Sequence, residues 1–178
     1  MTRTFRWLAV LGVPVLLTLA VPLPYATEAT DTTLCDTNPK MANLNFVLKD
    51  SAGKDFRLAS QKGQVVLLDF WATWCPPCKV EIPWFVEFQA KYGPKGLSVI
   101  GVSVDDPIAK LKPFATSYKV NYPLLLGDGR DDLKGPKAYD AGWALPKTFV
   151  IGRDGKICKA HVGLSSKDKF EQEIKALL

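Results

Sequence analysis

The chain has 178 residues, 47% of them hydrophobic and 23% charged, with a formal net charge of +5, four cysteines and one histidine. That length suits one domain of ordinary size, and the hydrophobicity excludes a disordered chain. Four cysteines are too sparse to replace a core, a single long apolar stretch excludes a polytopic membrane protein, and one histidine leaves the chemistry to cysteines, carboxylates and hydroxyls unless His161 serves.

Arg3 and Arg6 precede an apolar run from Trp7 to Val21. A short positive segment before an apolar core reads as an export signal. Residues 1–26 are therefore expected to be a signal peptide or an N-terminal membrane anchor, the run being close to the minimum for spanning a bilayer. Either reading places the remainder outside the cytoplasm, in the periplasm, secreted or tethered to the membrane. Removing residues 1–26 takes two arginines and no acid, leaving a net charge of +3. That is no basic stripe, and no nucleic-acid partner is expected. Residues 27–41 are polar and Thr-rich and read as a linker, and residues 42–178 as the folded domain.

Residues 44–49 and 54–58 alternate in polarity around Ser51-Ala52-Gly53 and predict a hairpin. Val65 to Trp71 is almost continuously apolar, as in a central strand covered on both faces. It runs into Trp74-Cys75-Pro76-Pro77-Cys78, where a helix is expected to begin and to continue to about Tyr92, kinked at Pro83 and ended by Gly93-Pro94. A second buried strand is expected from Leu97 to Val104. Asp105-Asp106-Pro107 then reads as the cap of a helix marked by Ile108, Leu111, Ala115 and Tyr118 and kinked at Pro113. Tyr122 to Leu126 predicts a short strand, and Leu133 to Ala141 a helix weakened by Gly135-Pro136. Lys147–Ile151 and Lys156–Val162 predict a hairpin around Arg153-Asp154-Gly155. Ser165, with Asp168 three residues on, is expected to open a last helix whose apolar face carries Phe170, Ile174 and Leu177. Alternating βα units before a terminal hairpin and helix imply an α/β domain, with a mixed sheet and helices on both faces.

Cys75 and Cys78 carry the chemistry. Two cysteines three apart in a first helical turn bring their sulfurs within bonding distance, and the first faces the positive end of the helix dipole, which favours its thiolate. Cys75 is thus the expected nucleophile and Cys78 the resolving thiol. A zinc site needs further ligands. Cys158 and His161 are the residues available, but positions three apart on a strand point to opposite faces, so they are not expected to converge. A structural disulfide usually closes a larger loop than three residues. No cofactor or metal is expected.

Asp69-Phe-Trp-Ala-Thr-Trp-Cys75-Pro-Pro-Cys78-Lys79 resembles the thioredoxin active-site segment. Glu81, the helix with Pro83, Val99 to Val104 with its two acids, and Leu145-Pro146-Lys147-Thr148-Phe149 extend the likeness. The N-terminal hairpin and the insertion around 106–126 resemble the TlpA/ResA family of extracytoplasmic thiol-disulfide oxidoreductases. The resemblance covers about residues 42–178. It implies a thioredoxin fold with an N-terminal β-hairpin and a βα insertion.

It also implies site roles. Pro146 matches a cis-proline set against the dithiol, where the Leu145 backbone pairs with an extended client segment. Trp74, Pro76 and Pro77 would form docking surface. Asp69 interrupts an apolar strand, so it is expected to be buried with a raised pKa; it matches the buried acid of thioredoxins, a proton acceptor for Cys78. Glu81 shares a helical face with Cys78 and matches the acid near the dithiol of ResA-like proteins, in which the Asp69 position is often neutral. Either acid, or the coupled pair, can be the relay. His161 reads as a half-buried strand residue, Trp71 as core, and Trp84 and Trp143 as packing. Cys35 and Cys158 either pair or remain free thiols, since four cysteines permit three connectivities.

Pro76 and Pro77 remove two amide donors beside Cys75, so a reducing couple is expected, nearer to thioredoxin at about −270 mV than to DsbA at about −120 mV. The resemblance implies a membrane electron donor of the CcdA/DsbD type and client proteins bearing disulfides, apocytochrome c among them. A monomer is expected. The alternatives are a disulfide oxidase or isomerase, a thiol peroxidase on the same fold, which CPPC disfavours, and a copper or zinc carrier.

Overall fold

The computed structural model describes residues 35, 39–130, 133, 139 and 144–178. The expected signal or anchor (1–26), most of the linker, most of the helix read at 133–141, and Trp143 lie outside the described residues.

The sheet is built on β3 (Val65–Trp71), whose seven residues are all buried. It pairs in parallel with β4 (Leu97–Ser103), also buried throughout, and antiparallel with β6 (Lys147–Ile151). β5 (Leu124–Leu126) extends the β4 side and β7 (Ile157–Val162) the β6 side, giving the order β5-β4-β3-β6-β7. The antiparallel pair β1 (Val47–Lys49) and β2 (Asp55–Arg57) forms a separate ribbon. Its turn is closed by the Asp50 carboxylate, which accepts from the Ala52 and Lys54 amides at 2.8 and 2.9 Å, with Gly53 at φ +81°. An Asp50–Leu125 bridge ties it to β5.

Because side chains alternate along a strand, β3 divides the core in two. Val65, Leu67 and Trp71 face α1 (Pro76–Tyr92) and α3 (Lys167–Leu177), packing with Phe85, Phe88, Phe170 and Ile174. Leu111 and Phe114 of α2 (Ile108–Ser117) join this side, the Phe114 ring 4.5 Å from that of Trp71. Val66, Leu68 and Phe70 face the other way, onto Leu44, Leu48, Leu58, Leu133 and Tyr139. Among the described residues it is the ribbon and its flanks that contribute most to this second face, together with Leu133 and Tyr139. Phe85 and Phe170 meet edge to face at 5.3 Å between α1 and α3; truncating either to Ala removes about 3–5 kcal/mol.

Three local readings need correction. α3 is capped by Ser166, whose hydroxyl accepts from Lys169 N, and not by Ser165, whose amide is used elsewhere. α2 has Pro107 as its N-cap residue and no side-chain cap, since proline carries no side-chain acceptor; Asp106, one residue earlier, is buried. The end of the segment read as linker is bound to the domain: Met41 bridges Lys156, Lys40 O accepts from Ile157 N, and Cys35 is disulfide-bonded to Cys158. The edge of β7 offers unpaired backbone groups, and the incoming chain satisfies them.

Candidate active site

Four residues, Ala72 to Cys75, join the end of β3 to the start of α1. Cys75 is the N-cap of α1, in extended conformation, and is disulfide-bonded to Cys78 one turn on, with the Cα atoms 5.4 Å apart. A helix N-terminus normally offers several free amides. Here Pro76 and Pro77 have none, Lys79 N donates to Cys75 O, and Cys78 N alone donates to Cys75 Sγ, at 3.3 Å. Cys75 is 2% exposed and Cys78 fully buried, whereas Trp74 is 57% exposed and Pro76 lies on the surface beside it.

The turn is pinned from the end of β4. Thr73 donates its amide and its hydroxyl to the Asp106 carboxylate, at 2.7 and 2.5 Å. Ser103 Oγ donates to the same carboxylate at 2.7 Å. Trp74 Nε1 donates to Asp105 Oδ2 at 3.2 Å. The Leu145–Pro146 peptide is cis, and Pro146 O accepts from Gly163 N at 2.8 Å.

Both expected acids are buried on the α1 face of the sheet. Asp69 is 1% exposed and accepts from Thr148 Oγ1, across the β3–β6 pair, at 3.1 Å. Burial, reinforced by the Glu81 charge, pushes its carboxyl well above the usual range, against the Thr148 hydrogen bond. Glu81 is fully buried; its Oε1 accepts from Ser165 N at 2.8 Å, and its Oε2 has no protein partner. Burial raises it to about 7, opposed by the Ser165 amide and by His161. The Glu81 charge acts on Asp69, so the two carboxyls titrate as a coupled pair.

His161 sits 2.8 Å from Glu173 with its ring edge-on to Phe170, and Cys158 is committed to Cys35, so the two residues of the zinc alternative have separate partners. Among the described residues, no three His, Cys, Asp or Glu side chains are placed to hold a metal ion, and no helix is long and apolar enough to cross a membrane. Four site residues went unread in the sequence: Thr73, Ser103, Asp106 and Ser165. Asp105-Asp106-Pro107 carried a signal, but a helix cap accounts for those letters equally well.

Fold and dithiol together define a thioredoxin-like oxidoreductase. Comparison with known proteins narrows this. Residues 40–160 match the model of the AhpC/TSA family. The thiol-disulfide oxidoreductase ResA of Bacillus thuringiensis (strain Al Hakam) is 34% identical over 133 residues, 75% of each chain. ResA of Geobacillus thermodenitrificans (strain NG80-2) is 32% identical over 153 residues, 86% of this chain and 83% of its own. A solved thiol:disulfide interchange protein of the thioredoxin family, from Chlorobium tepidum TLS, superimposes with a TM-score of 0.70 at 30% identity, over 80% of this chain and 99% of its own. The chain belongs to the AhpC/TSA family and, within it, to the thiol-disulfide oxidoreductases of the ResA type.

Proposed function

We propose that this oxidoreductase works outside the cytoplasm as a protein-disulfide reductase. One observation carries the direction. Cys75 Sγ takes a single amide hydrogen bond, because Pro76 and Pro77 have no N–H to offer. Strong oxidants owe their potential to a heavily stabilised thiolate in the reduced state. A thiolate with one amide is stabilised less, so the couple reduces its clients. The extracytoplasmic setting rests on the sequence of residues 1–26.

In the reductive cycle the Cys75 thiolate attacks one sulfur of a client disulfide and expels the other as thiolate. Cys78 then loses its proton to the Asp69–Glu81 pair and attacks Cys75 Sγ, releasing the second client sulfur. Two electrons pass to the client, which leaves as a dithiol, and the Cys75–Cys78 disulfide remains. A donor dithiol must restore it. The family likeness implies a membrane donor of the CcdA/DsbD type and apocytochrome c, with its paired haem-attachment thiols, as a client. Leu145 and Pro146 would align the client segment as an added strand, with Trp74, Pro76 and Pro77 forming the apolar ground beside the dithiol.

Equilibration of the dithiol with a glutathione buffer tests the direction. The expected potential lies toward that of thioredoxin, at about −270 mV, and a value near that of DsbA, about −120 mV, overturns the reductase reading. Cys78→Ala should accumulate a mixed disulfide on Cys75, whose partner mass spectrometry identifies. Capture of no protein, with Cys75 reactive, counts against the client scheme.

A further inference from the structure

We propose that Asp106 is a positioning residue for the dithiol, holding through Thr73 the turn that presents Cys75 to a client disulfide. The inference rests on the reading of Cys75 as nucleophile.

Asp106 is in the wrong place for a purely local role. It follows Asp105 and precedes Pro107 at the entrance to α2, where a carboxylate ordinarily accepts from the free amides of the first turn. It makes no such bond, and α2 starts without a side-chain cap. The side chain is fully buried, with the Lys110 ammonium 3.9 Å away and itself 59% exposed. Burying a carboxylate beside so distant and wet a cation is costly unless hydrogen bonds replace its water. Three do: two from Thr73 and one from Ser103. Both carboxylate oxygens are occupied by groups outside α2.

What is gained lies two residues before Cys75. The Ala72–Cys75 turn belongs to neither β3 nor α1, and its internal hydrogen bond is Cys75 N to Ala72 O at 3.1 Å. Asp106 adds two bonds to Thr73 from a rigid neighbour, since Val104 N also donates to Trp71 O and locks the end of β4 against the end of β3. Asp105, the adjacent residue, holds the Trp74 indole. Consecutive carboxylates therefore hold consecutive residues leading into the nucleophile. Thiol–disulfide exchange requires the attacking sulfur to line up with the bond it breaks, and misplacement by about 1 Å can cost about 100-fold in rate. The hydrogen bonds of Asp106 go to Thr73 and Ser103 and not to Cys75 Sγ, so it acts through the turn.

The test uses the reduced full chain with insulin as client, and glutathione disulfide followed by tryptophan fluorescence as a small probe. Asp106→Ala is expected to lower kcat by about tenfold or more with little change in KM, at a temperature where the protein is fully folded. Thr73→Val, which keeps the amide bond, should lose less, and Thr73→Val combined with Asp106→Ala should be no slower than Asp106→Ala alone. Asp106→Asn, which retains an acceptor for the Thr73 amide and Ser103, should recover most of the rate. A folded Asp106→Ala variant with the original kcat overturns the proposal, as do independent, multiplicative losses from Asp106 and Thr73. Should Asp106→Ala not fold, an unchanged rate in Thr73→Val overturns it. A parent chain inert toward both insulin and glutathione disulfide defeats the nucleophile reading instead, so the two failures are separable.

Discussion

The chain carries two disulfides in opposite surroundings. Cys75–Cys78 spans three residues at a helix N-terminus, next to an exposed tryptophan, with the buried Glu81 one turn further along the same helix. Cys35–Cys158 spans 123 residues and fastens the incoming chain to β7, beside Lys40 and Met41, which pair with the same edge. A disulfide stabilises a fold mainly by restricting the unfolded chain, and more so for a longer loop. The short bridge restricts almost nothing, so opening and closing it costs the fold little and the bond is free to take part in exchange. The long bridge restricts a great deal. Identical covalent bonds are therefore assigned to chemistry and to architecture by what they enclose.

The comparison can be broken experimentally. Its largest consequence is that Cys75→Ser abolishes insulin reduction, a loss of more than about 1,000-fold, while leaving the melting temperature close to that of the reduced parent. Replacing Cys35 and Cys158 together by Ser should do the reverse: denaturant unfolding should show about 2–4 kcal/mol less stability, with activity within about twofold of the parent. A large loss of activity there, with the fold intact, would erase the distinction.

Smaller effects concern the two buried acids, Asp69 and Glu81. The folded-state pKa of Glu81, about 7, lies above its ordinary 4.5. Its protonated form is thus the one the fold favours: this contribution is complete below about pH 4.5 and is lost as pH rises through 7. Glu81→Gln mimics the protonated form, so its melting temperature should match the parent at pH 5 and exceed it at pH 8. The same variant should flatten the rise of the exchange rate across neutral pH. The smallest change is expected from Thr148→Val, which removes the one hydrogen bond opposing the raised pKa of Asp69. It should shift the pH profile upward and alter the rate at pH 7 by no more than about fivefold, the worth of one hydrogen bond.

The strands Val65–Trp71 and Leu97–Ser103, the helix from Pro76 to Tyr92 and the terminal hairpin were all legible in the chain. Each is announced by a local signal: an almost continuous apolar run, prolines at the start of a helix, or glycine punctuation. The dithiol was legible for the same reason, as its two sulfurs lie within one helical turn. The burial of Asp69 was legible because a lone acid within an apolar strand has few other places to go. Glu81 was harder, since a helix glutamate three residues after Cys78 reads equally well as a solvent-facing one.

Residues near in sequence and restricted by local stereochemistry thus determined the elements, the α/β class and the reactive pair. Tertiary structure decided the rest, because those choices are made between groups distant in the chain. Glu81 accepts the amide of Ser165, 84 residues away, which also hands the cap of α3 to Ser166. Cys35 finds Cys158 across 123 residues. Asp106 leaves its own helix for Thr73, 33 residues upstream. In each case a buried polar or reactive group must be satisfied by whatever the packed interior brings within reach, and no local pattern of letters records which group that will be.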